Sequence, residues 1–186
     1  MHEGWNIWAM LFLSDDDAYR VREFFTKDVG VKPGRIIANP HLTVYHSRRP
    51  MPGLRSTKER ASLILAAADT RFMVMYPGGE NPRDELDPGK LPVGIRIRRK
   101  CETQSTLFNY RERCLRFETR RVLGSRPSSD HRTNAFGARS FQPHVTLLKA
   151  WSGIDRDLTK VGELFRSRFD KFTFDRFVIE IRPPKS

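Results

Sequence analysis

The pentapeptide PHLTV, Pro40 to Val44, returns almost unchanged as PHVTL, Pro143 to Leu147, about a hundred residues further along the chain. Each copy reads as the opening of a strand. Proline in a paired sheet is largely confined to strand beginnings and edges, and strand alternation sends Leu42 and Val44 to one face and His41 and Thr43 to the other. Val145 and Leu147 part from His144 and Thr146 in the same way. The aliphatic pair anchors the strand in a core and leaves an imidazole and a hydroxyl roughly 7 Å apart on the open face. The duplication points to two similar halves that face each other.

The periodicities around the copies predict an α+β order: strand, helix, motif strand, helix, strand, strand, helix, motif strand, helix, strand. Residues 5–13 are apolar and aromatic enough for a buried strand. Ser14 stops it and caps a helix with Asp15, Asp16 and Asp17 in its first turn, where carboxylates favour the positive end of the helix dipole. Residues 58–69 predict an Ala-rich helix, residues 71–76 a strand, and residues 93–99 a strand with Ile95 and Ile97 inward and Arg96 and Arg98 outward. Residues 102–123 predict a helix with Leu107, Tyr110, Cys114 and Phe117 on one stripe, and Arg111, Arg113, Arg116 and Arg120 largely off it. Residues 124–140 read as a polar loop ahead of the second motif strand, residues 141–149, and residues 155–168 as a helix. The last strand begins near Phe172, and the parity change between Phe172/Phe174 and Phe177/Ile179/Ile181 predicts a bulge near Asp175 and Arg176.

A chain of 186 residues suffices for one domain with a substantial core, and residues 1–186 are read as a single domain. No apolar run approaches the roughly 20 residues a membrane span needs. Residues 5–13 are too short for a signal peptide and lack its basic leader, so the expectation is a cytoplasmic protein without membrane contact. The two cysteines, Cys101 and Cys114, have a spacing that matches no zinc or redox motif. Gly78 and Gly79 lack the spacing of a phosphate-binding loop, and no metal or cofactor is expected. Lys and Arg number 34 against 22 acidic residues, a net charge of +12, whose field concentrates anions, nucleic acids and nucleotides first among them.

Two imidazoles and two hydroxyls converging on one small volume suit phosphoryl transfer. One histidine takes a proton from the attacking oxygen, the other gives one to the leaving oxygen, and the threonines hold the non-bridging oxygens. Histidine serves because its unperturbed pKa of about 6.5 lets both protonation states exist near neutrality. A single His-x-Thr is most often an ordinary polar strand face; two copies with the same proline and aliphatic flanks are hard to obtain by accident.

On these two motifs, with their strand and helix context, the chain resembles the two-histidine (2H) phosphoesterase superfamily, which includes 2′,5′ RNA ligase-like proteins and 2′,3′-cyclic nucleotide phosphodiesterases. The resemblance implies a bilobal α+β fold, two pseudo-symmetric antiparallel sheets lining a central groove with helices outside. It implies His41 and His144 as the acid/base pair and Thr43 and Thr146 as phosphate-binding hydroxyls. It also implies substrate contacts from Phe141, two before the second Pro-His, and from Lys149 just beyond. The expected activity is hydrolysis of 2′,3′-cyclic phosphate or 2′,5′-linked RNA or nucleotide substrates by a monomer. Cleavage of cyclic oligonucleotide second messengers, as in counter-defence relatives, and RNA binding without turnover are the alternatives.

Further candidates are weaker. Tyr45 has the strand parity of His41 and Thr43, and is read as a base-stacking or phosphate-binding residue as readily as a core tyrosine. Trp151 is read either as a stacking platform or as a cap on the core. His46 has the opposite parity and, with His2 and His131, reads as a surface residue. Arg96 and Arg98 are placed equally well on phosphates or on a solvated face.

Overall fold

The computed structural model of the chain describes residues 6–47, 53–75, 87–98, 101–121 and 143–182. Seven strands, β1 (Asn6–Leu13), β2 (His41–Ser47), β3 (Thr57–Ala66), β4 (Thr70–Val74), β5 (Val93–Ile97), β6 (His144–Leu148) and β7 (Lys171–Arg182), form one antiparallel sheet. Their order across the sheet is β3-β7-β1-β2-β6-β5-β4. Among the described residues three α-helices accompany it: α1 (Asp15–Glu23), α2 (Glu102–Arg121) and α3 (Leu158–Arg168).

Local chemistry starts and stops these elements as expected. The Ser14 hydroxyl accepts from Asp17 N at 3.3 Å, and the α1 backbone continues as a π-helical turn over Phe24–Val29 until Gly30, whose φ of 83° ends it. Asp157 caps α3 by accepting from Lys160 N at 2.9 Å. The bulge in β7 falls where its parity changes: Leu13 pairs with Phe174 and Phe12 with Arg176, so Asp175 is left over. Phe172, Phe174 and Phe177 are therefore all buried.

The helices divide the core. Phe24 and Phe25, from the turn that follows α1, pack on Phe165 of α3, and Phe165 packs on Phe72 of β4. Helix α2 lies against β2 and β3, with Tyr110 on Phe177 and Arg113 bridging to Glu59. That hydrogen bond, more than the charge of Arg113, holds the Glu59 carboxyl below the usual carboxylate range.

One pattern of register occurs twice. Strand β1 pairs with β2 through Phe12↔His41, Leu11↔Leu42, Met10↔Thr43 and then Ala9↔Tyr45, so Val44 is bulged out. Strand β5 pairs with β6 through Arg96↔His144, Ile95↔Val145, Gly94↔Thr146 and then Val93↔Leu148, so Leu147 is bulged out. Even the prolines match: Leu13 N donates to Pro40 O at 3.0 Å, and Ile97 N donates to Pro143 O at 2.9 Å. Each half thus runs strand, helix, motif strand, with β1-α1-β2 in one and β5-α2-β6 in the other.

Three expectations are corrected. The two expected sheets are joined into one, because β2 and β6 pair directly at Leu42↔Val145. Residues 58–69 form strand β3 and a short 3-10 turn, Ala67–Asp69, instead of a helix. Pairing with β7 overrides the alanine content, and the end of β3 alternates, with Leu63 and Leu65 buried and Ile64 57% exposed. Arg111 lies inside, fully buried, although the helical stripe left it out. The loop read over residues 124–140, and the candidate Phe141, fall outside the described residues.

Candidate active site

Antiparallel pairing puts directly opposed residues on one face and their neighbours on the other. Leu42 and Val145, both fully buried, face the core. The residues on either side of them therefore share the opposite face: His41 beside Thr146, and Thr43 beside His144. All four are half-buried. The two histidines are diagonal neighbours in this arrangement, and such positions lie roughly 7–8 Å apart in an antiparallel pair. That separation lets two imidazole tips reach opposite sides of a single phosphate.

His41 is held by its own loop. Its Nδ1 lies 3.1 Å from Asn39 O, and since a carbonyl only accepts, Nδ1 carries the proton of that bond. Nε2 is then the nitrogen left for proton exchange.

The flanking strands treat the two motifs differently. Phe12 of β1 stands next to His41, ring centroids 5.3 Å apart, with the Arg176 guanidinium 5.7 Å from the Phe12 ring centroid on its other side. Arg96 of β5 is the register partner of His144, so an arginine holds the register position that Phe12 holds in the other half. Along the same face of β7, Glu180 takes a bidentate bond from Arg182, at 2.6 and 3.0 Å. This bond holds the Glu180 carboxyl below the usual carboxylate range, and the charges of Arg182 and His41 act in the same direction.

The bulge at Val44 reverses the parity on which two residues were placed. Tyr45, expected on the open face, is fully buried in the core, which excludes it as a stacking surface for a substrate. His46 takes the open face instead, its ring centroid 3.9 Å from that of Trp8, whose register partner it is. Lys149 lies just past the end of β6, and its ammonium donates to Gly34 O at 2.8 Å. Trp151 takes its core-cap role: it packs edge-on against Phe72, and its Nε1 donates to Arg156 O at 3.2 Å.

Two residues of the site were passed over or left undecided in the sequence. Arg96 was placed on an outward face, and only the pairing of β5 with β6 reveals that this face is the one carrying His144. Gly94 opposes Thr146, and a Cβ there would meet Val145 O at 2.0 Å and Thr146 Cα at 2.9 Å. Its signal was available, since glycine inside a strand often marks a close approach of another backbone. No group of three or more His, Cys, Asp or Glu side chains able to hold a metal ion occurs among the described residues. Compared with known proteins, the chain matches no family model and no curated protein.

Proposed function

We propose that the chain is a metal-independent phosphodiesterase that opens 2′,3′-cyclic phosphates or cleaves 2′,5′-linked RNA or nucleotide substrates by two-histidine acid/base catalysis. The observation that carries this reading is the Leu42↔Val145 pair, which gathers His41, Thr43, His144 and Thr146 on one face. In cyclic phosphate hydrolysis one imidazole accepts a proton from water as its oxygen bonds to phosphorus. The bond from phosphorus to one ribose oxygen breaks, and the other imidazole protonates that oxygen. The product is a monoester, one water is consumed, and a second proton exchange resets the pair. Thr43 and Thr146 donate to the non-bridging oxygens, and Arg96 offsets their negative charge.

The doubled register supports a bilobal two-histidine phosphoesterase fold with the site where the halves meet. A net charge of +12 draws the anionic substrate in. The reading carries with it a monomer working in the cytoplasm. No described helix is long and apolar enough to cross a membrane.

The test is hydrolysis of 2′,3′-cyclic mononucleotides, 2′,5′-linked dinucleotides and cyclic dinucleotides by the purified chain. Turnover of the first two follows a bell-shaped pH profile, because one imidazole must start neutral and the other charged, and it persists in chelator. Cleavage confined to cyclic dinucleotides would move the substrate class to second messengers. Salt-sensitive RNA binding without product, unchanged by loss of His41, would replace the enzyme with a binding module. Arg96→Gln is expected to lower kcat/KM by ~10- to 100-fold, the range of one charge-assisted hydrogen bond. Initial rates across substrate concentration measure it, and an unchanged value removes Arg96 from the site.

A further inference from the structure

The paired bulges leave two residues without register partners on their outer neighbour strands, Val44 in β2 and Leu147 in β6. Their carbonyls are satisfied by different means. Leu147 O accepts from the backbone of Ile37 at 2.8 Å, so a main-chain donor holds the second motif at this point. Val44 O accepts from Nη1 of Arg111 at 3.0 Å, a side chain from α2.

Arg111 is 0% exposed. Burying a guanidinium is costly, and a neutral donor would suffice if a carbonyl merely needed a partner. The choice of residue and place has a geometric consequence. Val44 directly follows Thr43, and the bulge at Val44 sets where His41 and Thr43 stop sharing a face with what comes after. Helix α2 leads out of β5 towards the second motif yet packs against β2, so Arg111 ties the helix of one half to the motif strand of the other.

We propose that Arg111 is a positioning residue for the first motif: from behind the sheet it grips Val44 O and fixes the bulge that aims His41 and Thr43 into the site. Its effect on turnover rests on the phosphodiesterase reading above, whereas its effect on the His41 ring rests on the geometry alone.

The experiment compares Arg111→Met and Arg111→Lys with Leu107→Ala, which truncates a fully buried apolar residue one turn earlier on α2. Three quantities are read on the full chain: kcat and KM for a 2′,3′-cyclic mononucleotide, the thermal midpoint, and the imidazole nitrogen resonances of His41 and His144. Arg111→Met is expected to lower kcat by ~10²-fold with little change in KM, the order that a misplacement of roughly 1 Å costs. The His41 resonances move while those of His144 stay, and Arg111→Lys, which keeps a cationic donor, recovers part of both effects. Leu107→Ala lowers the thermal midpoint and leaves kcat and the His41 resonances in place.

A folded Arg111→Met chain with unchanged His41 resonances overturns the proposal, as does an equal loss of kcat in Leu107→Ala. Should Arg111→Met fail to fold, Arg111→Lys decides, and His41 resonances identical to the parent's then count against it. If the parent itself turns over no substrate, the phosphodiesterase reading fails, and the His41 resonances alone still settle the positioning claim.

Discussion

His41→Ala and His144→Ala each lower turnover by at least ~10²- to 10⁴-fold, the contribution typical of one general acid or base. The loss falls on kcat, because proton transfer is made in the transition state and not in the bound ground state. Both histidines are half-buried and their apolar strand neighbours Leu42 and Val145 carry the packing, so both variants keep the parent fold. The double variant is scarcely slower than the worse of the two singles, since two groups acting on one phosphorus fail as a unit. Steady-state rates of the four proteins check this. Full activity in either single variant, or multiplicative losses in the double, would contradict shared action on one centre.

Gly94→Ala has the next largest effect, although it adds a single methyl and alters no titrating group. The added Cβ would lie 2.0 Å from Val145 O, a backbone atom that cannot rotate away. Strand β6 must shift by roughly 1 Å, and a displacement of that size in a catalytic group costs on the order of 10²-fold in rate. Because Val145 sits between His144 and Thr146, the shift moves both. Overpacking of this kind also costs about 1–3 kcal/mol of stability. Denaturant melts and kcat measured on the same preparation check the two effects together. A variant with parental stability and rate would show that the β5 and β6 backbones lie further apart at Gly94 than a distance of 2.0 Å from the added Cβ to Val145 O implies.

The motifs and their strand character were legible because alternation is local: two aliphatic residues and a proline suffice to place His41 and Thr43 on one face. Convergence of the two motifs was expected from their duplication, but the register that produces it, Leu42 against Val145, is a long-range pairing that no local pattern encodes. The parity argument worked up to Thr43 and Thr146 and failed one residue later, because each strand bulges there. Tyr45 and His46 exchanged faces for that reason alone. In β7 the same kind of bulge was legible, since apolar residues on both sides of Asp175 exposed the parity change. At Val44 and Tyr45 the two adjacent apolar residues carried the same signal, masked by the tyrosine's polar tip. Strand β3 was misread because alanine content favours helix locally, whereas pairing with β7 decides. Arg111 illustrates the limit of a helical stripe: a charged residue is assigned outward by type, whereas a tertiary partner such as Val44 O, which no local pattern encodes, lets it turn in.

The most direct measurement is a titration of the chain with inorganic phosphate, followed through the imidazole nitrogen resonances of His41 and His144. One anion held between the two motifs moves both rings along curves with a single shared midpoint, and His41→Ala weakens the response of His144. Movement of one ring only, or two separate midpoints, would contradict a common site.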